Sequence, residues 1–553
     1  MTEKQRHSLL FALLGLLFFL PFLGGVHLFD WDEVNFAEIS REMLITGDFT
    51  RVYINFEPFW EKPPFFFWLQ TLAMAVFGVG EYAARLPNAL CGMLTLVLLY
   101  RIGRHLYHAR FGLLWAGAYF GSVLPFLYFK SGIIDPWLNL FIFLGIYYFV
   151  LAYWKRDGIT GEVDLPKNAW WYLFLGGFFI GMGILTKGPV AYLVACITMG
   201  VYWVYQRFRF YVTIPQFLFF SLAASLVTLT WFGLETARNG PWFIQEFTTY
   251  QYRLFSTPDA GHKGFPGYHF VVLLVGCFPA SIFAIRAFFR LPSQANPQQA
   301  DFTRWMKYLF WTVLILFTIV ESKIVHYSSM CYFPLTFLAA LSMDHILGGR
   351  IPYARWMRTG VAVLAGLYIL ATVALPILAM HPEWLKPLFN DPFAAASLDA
   401  DVHWTGLEVL PGIWLALVLF GHFRWIKQKA PAWAMGSLLL GTALFVFATL
   451  IFFVKRIEGY SQRANIAFFE NHADESVYFR TLNYKSYAHL FYGKVMPGHE
   501  RASDTEWLLE GDIDRDAYFS VKIHRAEPYR RREDLEELYS KNGFVFFRRR
   551  AQR

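Results

Sequence analysis

The stretch that decides the reading is MTEKQRHSLLFALLGLLFFLPFLGGVHLFDWDEVNFAEISREMLITGDF, residues 1–49. A basic start leads into an apolar run ending near residue 25, and Asp30, Asp32, Glu33 and Glu38 follow at once. The run resembles a signal peptide, but no A-x-A-like site precedes the acidic stretch, so it reads as a retained first span. The acidic stretch reads as a short helix, capped by Asp30 or Asp32 with Glu33 in its first turn. Its stripe of Phe36, Ile39 and Met43 predicts that this helix lies on the membrane surface.

Outward from there the same alternation of apolar run and charged connection continues to about residue 454. Apolar residues make up 56% of the 553 and charged residues only 16%, too few to surface a soluble chain of this length. Spans are expected near 8–25, 87–105, 111–129, 136–154, 170–186, 189–206, 213–231, 267–289, 305–321, 328–345, 357–379, 405–424 and 434–454. The fold class is therefore an all-α polytopic membrane domain of about thirteen transmembrane helices. The four cysteines (Cys91, Cys196, Cys277 and Cys331) fall in or beside these runs and read as small core hydrophobes.

Short connections sort by charge. One set carries Arg101, Arg104, Lys155, Arg156, Arg207, Arg350 and Arg424; the alternate set carries Asp32, Glu61, Asp135, Glu235 and Glu321. The positive-inside rule makes the first set cytoplasmic, with the N-terminus inside and the C-terminus outside. The long loops at 26–86, 232–266 and 380–404 then face outward, and chemistry belongs on that side. Two domains are expected, 1–454 in the membrane and 455–553 as a small soluble α/β domain. In the latter, SVYFRTL, DAYFSVKI and GFVFFRRR read as strands and REDLEELYSK as a helix.

The outer face gathers acids and bases at headgroup depth. In NFEPFWEKPPFFFWLQ (55–70), Pro63 and Pro64 open an apolar helix read as interfacial, and Lys62 stands just before it. A cation there opposes the helix dipole unless an anion binds with it, or unless it pairs with Glu61. Asp32 and Glu33 are either first-turn acids or catalytic carboxylates. Asp135 in SGIIDPWLNLF is either a cap or a third acid of the site, and Lys187 in LTKGPV either a helix-end cation or a phosphate ligand. Arg253, in the loop that also holds His262, Lys263 and His269, suits bidentate phosphate binding. Lys323, His326 and Tyr327 lie between two later spans. Glu61 with His262, His269 or His326 would be the candidate ligands of a divalent metal. Cations beside a phosphate and a carboxylate beside a sugar are what breaking a phosphate-linked glycoside needs. The sequence holds no P-loop and no nucleotide-binding glycine fingerprint, and no nucleic-acid partner is expected.

DEVNFAEISREML, FWEKPPFFFWLQ, GEYAARLPNAL, the Asp135 segment, LTKGP, the Arg253–His269 loop and the Lys323–Tyr327 segment spread over roughly the first 350 residues. Together they resemble the GT-C glycosyltransferases of the protein O-mannosyltransferase superfamily, marked by an acidic pair in the first outer loop. More closely the chain resembles the ArnT family, the bacterial aminoarabinose transferases that modify lipid A. It departs at Asn35 and Phe36, where Arg and Tyr are usual. The resemblance implies an undecaprenyl-phosphate-linked 4-amino-4-deoxy-L-arabinose donor, a lipid A phosphate acceptor, a bacterial inner-membrane location and resistance to cationic antimicrobial peptides. It implies Asp32 as the catalytic carboxylate with Asp135 in support, and Glu61, Lys62, Arg253 and Tyr327 as donor or metal contacts. A protein or another glycolipid as acceptor stays open, as does a lipid-linked-sugar flippase. The flippase reading expects ionisable residues at mid-membrane, whereas here they gather in the outer loops.

Overall fold

The computed structural model describes residues 1–256, 264–289, 291–292, 294 and 296–551. The helices in chain order are α1 (Glu3–Phe19), α2 (Asp32–Thr46), α3 (Phe65–Phe77), α4 (Glu81–Leu106), α5 (Ala109–Phe120), α6 (Val123–Tyr128), α7 (Asp135–Asp157) and α8 (Ala169–Lys187). There follow α9 (Val190–Tyr205), α10 (Ile214–Asn239), α11 (Trp242–Ser256), α12 (Tyr268–Gly276), α13 (Ala280–Phe288), α14 (Pro297–Ile319), α15 (Tyr332–Leu347) and α16 (Arg355–Ala379). After the short α17 (Pro382–Leu385) and α18 (Pro392–Ser397) come α19 (Leu410–Lys427) and α20 (Pro431–Ser461).

Among the described residues eight helices are long and apolar enough to cross a bilayer, or nine if α12 and α13 form one span. Those two are bent by 120°, so the stretch read as one straight span at 267–289 is broken. The remaining expected spans fall on α1, the α5–α6 pair, α9 and α14, the last an unbroken helix of 23 residues that carries Asp301, Arg304 and Lys307 in its first half. The interior is aromatic: Trp115, Trp154, Trp305 and Tyr202 are fully buried, and Tyr202 stacks on Trp305 with ring centroids 4.2 Å apart. Conversely Leu218, Leu222, Leu226 and Leu229 of α10 stand exposed at helical spacing, a face suited to lipid.

Two local expectations are corrected. Helix α2 starts behind Trp31 with no side-chain cap, so neither Asp30 nor Asp32 caps it. It stops at Gly47, whose φ of 68° lets its N–H return to the Met43 carbonyl. Every residue from Glu33 to Met43 is buried, because Phe36, Ile39 and Met43 pack with Val52, Phe66 and Phe67. The helix is an internal post rather than a surface float. Helix α20 runs without a break through the boundary expected at 454 and ends at Ser461.

Beyond it, α21 (Arg463–Asn471) and α22 (Ala488–Phe491) flank a four-stranded sheet of β3 (Tyr478–Leu482), β4 (Ala517–Lys522), β5 (Glu536–Lys541) and β6 (Phe544–Arg549); here β1 (Tyr53–Ile54) and β2 (Glu57–Pro58) are a small hairpin between α2 and α3. The sheet order is β3-β4-β6-β5, with β3 and β4 parallel and the other pairs antiparallel. REDLEELYSK, read as a helix, supplies strand β5 instead. Asn542 and Gly543, with φ of 49° and 81°, make the tight turn that folds β5 back on β6.

Candidate active site

Helix ends converge on one cavity of about 620 Å³. Lys187 arrives there because α8 ends at Gly188, whose φ is 93°, and a side chain at that glycine would collide with the Phe247 ring. Asp135 arrives because α7 begins with it, followed by Pro136 in the first turn. The polar lining includes Asp32, Glu61, Lys62, Asp135, Lys187, His326 and Tyr327. Leu138, Ile142, Leu193, Val194 and Leu316 continue the wall. On α7, Ile142 lies two helical turns beyond Asp135, or roughly 10 Å along the axis. The cavity thus joins a charged mouth to an apolar arm running along the spans.

At the mouth, Lys187 Nζ lies 2.7 Å from Asp135 Oδ1 and 5.5 Å from the centre of the Tyr327 ring. Lys62 Nζ donates to the Tyr250 hydroxyl at 3.2 Å and sits 4.7 Å from that ring's centre. The Arg253 guanidinium lies 5.3 Å from the same ring, so one tyrosine organises two cations. Asp32 Oδ2 is 4.0 Å from His326 Nε2. Two buried acceptors, Asp135 Oδ2 and Asn35 Oδ1, have no hydrogen-bond partner among the described residues. Both residues line the cavity, and an orphan acceptor there suits a ligand carrying hydroxyl or ammonium donors.

Glu33 takes a different part. Its carboxylate meets Arg85 at 2.7 Å and accepts the N–H groups of Phe29, at 3.0 Å, and Gly132, at 2.5 Å. Burial alone would raise its pKa, but the Arg85 charge and these hydrogen bonds outweigh it and hold Glu33 below the usual carboxylate range. Arg85 also donates to the carbonyls of Leu23, Val26 and His27, while Asn88 donates to those of Ser131 and Ile133, each at 2.6 Å. The GEYAARLPNAL segment is therefore a clamp that ties the end of the first span, the start of α2 and the loop before Asp135 together. It anchors the residue next to Asp32 and the loop that leads to Asp135 without itself lining the cavity.

Lys323 is likewise turned away: its ammonium caps the end of α14 through the carbonyls of Phe317, Thr318 and Val320. His262 lies outside the described residues. No three His, Cys, Asp or Glu side chains come together to hold a metal among the described residues, although Glu61 and His326 both line the cavity. Sequence reasoning missed Trp31, Tyr250, Asn139 and Ser329, the last two joined at 2.8 Å on the cavity wall. Tyr250 carried a signal, standing three residues before Arg253 on one helical face.

A family model described as dolichyl-phosphate-mannose-protein mannosyltransferase matches residues 61–231. The fold matches the crystal structure of ArnT from Cupriavidus metallidurans bound to undecaprenyl phosphate, with a TM-score of 0.73 at 18% identity over 98% of this chain and 97% of that one. With this family match and the relatives that follow, the chain is a membrane glycosyltransferase, and its fold is GT-C-like. Within that class, the sequence is similar to the undecaprenyl phosphate-alpha-4-amino-4-deoxy-L-arabinose arabinosyl transferases. The protein from Erwinia tasmaniensis is 27% identical over 80% of this chain and 77% of its own length. That from Pseudomonas aeruginosa is 28% identical over 71% and 68%.

Proposed function

We propose that this chain transfers 4-amino-4-deoxy-L-arabinose from undecaprenyl phosphate to a phosphate of lipid A, on the periplasmic face of the bacterial inner membrane. The N-terminus is cytoplasmic and the segment 455–553 a periplasmic domain, as the charge of the connections indicates. The observation that carries the reading is the continuity of the cavity, from carboxylates and cations at its mouth to an aliphatic arm at membrane depth. A polyprenyl phosphate has that shape and that division of polarity. The names of the arabinosyl transferase relatives support the same donor.

In the reaction an oxygen of the acceptor phosphate forms a bond to the anomeric carbon. The bond from that carbon to the carrier phosphate breaks, and its electron pair leaves with the carrier. Lys62, Lys187, Arg253 and Tyr327 receive the growing charge on the carrier phosphate. Asp32 faces the sugar and stabilises its oxocarbenium-like character. Asp135 and Asn35 accept hydrogen bonds from sugar hydroxyl or ammonium groups. The acceptor oxygen is already ionised at neutral pH, so positioning and relief of phosphate–phosphate repulsion dominate catalysis. A less anionic outer surface, and with it resistance to cationic peptides, would follow.

The test is incubation of the purified protein in nanodiscs with the aminoarabinose carrier lipid and lipid A, followed by mass spectrometry. Lipid A gaining one aminoarabinose is the expected product. Sugar appearing only on a peptide acceptor, or none leaving the carrier, would overturn the assignment.

A further inference from the structure

A second recess, of about 710 Å³, lies where the β1–β2 hairpin meets the C-terminal domain. Arg480, Lys485 and Arg525 line it, against Glu57 as the one carboxylate among the described lining residues. Glu57 accepts from the Ser503 hydroxyl at 2.6 Å. None of the three cations forms an ion pair among the described residues. Arg480 Nε donates to Thr505 Oγ1 at 2.8 Å, Arg525 donates to the Asn483 carbonyl, and Lys485 Nζ lies 4.5 Å from the centre of the Trp31 ring. The guanidinium forks of Arg480 and Arg525 keep donors to spare, five being available on each.

The recess and the donor cavity share a wall one aromatic layer thick. Trp31 lines the cavity, Tyr487 lines the recess, and their ring centroids are 5.8 Å apart. Charge divides unequally across that wall. The cavity carries Asp32, Glu61 and Asp135 against Lys62 and Lys187, and the carrier phosphate assigned above already engages those two cations together with Arg253. A phosphorylated acceptor needs cations of its own, and the recess has them beside the reacting centre.

We propose that this recess binds the phosphorylated sugar headgroup of the acceptor, with a phosphate held by Arg480, Lys485 and Arg525. This inference rests on the acceptor assigned above. The probe is the deacylated, bisphosphorylated glucosamine disaccharide of lipid A, titrated onto the full-length protein in nanodiscs. The charge-reversed pair Lys485→Glu with Arg525→Glu should weaken its binding by about tenfold or more and raise the KM for lipid A by a similar factor, because charge-assisted phosphate contacts are lost. The KM for the carrier-linked sugar should stay as in wild type. Arg480→Gln is a second, uncharged probe of the same site and should act in the same direction. Equal binding by wild type and variants, or a KM for the donor that rises in step, would overturn the proposal. Inorganic phosphate binding as tightly as the disaccharide would overturn the headgroup assignment. If wild type binds the disaccharide through these cations yet transfers no sugar to lipid A, the reaction assigned above fails while the anion site stands.

Discussion

Asp32 and Glu33 are neighbours in sequence and opposites in structure. Glu33 is wrapped by Arg85 and two backbone N–H groups until its hydrogen-bonding capacity is filled. Asp32 lines a cavity, and its Oδ2 lies 4.0 Å from His326 Nε2. The same contrast separates the Glu33–Arg85 pair from the cavity mouth, where Asp135 and Asn35 keep unpartnered oxygens. Polar groups that are fully satisfied hold the fold, and those left short of partners are free to meet a ligand.

The sharpest way to break this division is Asp32→Asn. Transfer should fall by roughly 10²–10⁴-fold, while the melting temperature stays within the scatter of wild type. A variant that melts early without a specific loss of turnover would assign Asp32 to the clamp. Glu33→Gln tests the other half. It leaves the Arg85 guanidinium buried without its counter-charge, and a loss of about 3–5 kcal/mol in unfolding free energy is expected. Chemical denaturation measures this, and a stable but inactive protein would move Glu33 into the catalytic set.

Acid probes the C-terminal domain. Burial, and then the Arg480 charge, push the His489 imidazole down to about 3, so it stays neutral in the folded protein while the unfolded chain takes up protons near 6.5. The unfolded state then binds more protons as pH falls below about 6.5, and stability declines toward the folded value, by roughly 2 kcal/mol at pH 5. Melting curves of His489→Gln at pH 7 and 5 should lie closer together than those of wild type, and an unchanged gap would remove His489 as the cause. Lys62→Ala should raise the KM for the donor about tenfold, through one lost charge-assisted contact. An unaltered donor KM would separate Lys62 from the phosphate. An effect on stability alone is expected at Gly543→Ala, about 1–3 kcal/mol, because the residue is held at φ 81° and an added Cβ would press on the Phe393 ring and carbonyl; transfer should not change, and a lost activity would tie the β5–β6 turn to the site.

What the sequence discloses depends on how far apart the partners lie. Most of the spans, and the acids and cations Asp32, Lys62, Asp135 and Lys187 that share the cavity, are legible, because each rests on local composition or on alternation along the chain. The burial of α2 is not. Its apolar stripe is the same whether it meets lipid or Phe66 and Phe67, and Arg41 of that helix reaches the Val495 carbonyl, a contact no periodicity contains. The pairing of Glu33 with Arg85 spans 52 residues and was equally hidden, as was the turn of Lys323 onto its own helix end. The strand β5 was misread although its signal was present: Asn542-Gly543 before an aromatic strand marks a hairpin, and it overrides the helix propensity of Leu535 to Lys541.

The cavity as the seat of the carrier lipid is tested most directly by photo-crosslinking, using a polyprenyl phosphate with a diazirine in its first isoprene units and peptide mapping of the adducts. Adducts should concentrate on Leu138, Ile142, Leu193 and Leu316, and excess undecaprenyl phosphate should suppress them. Labelling confined to the lipid-facing leucines of α10, insensitive to that competitor, would contradict the account.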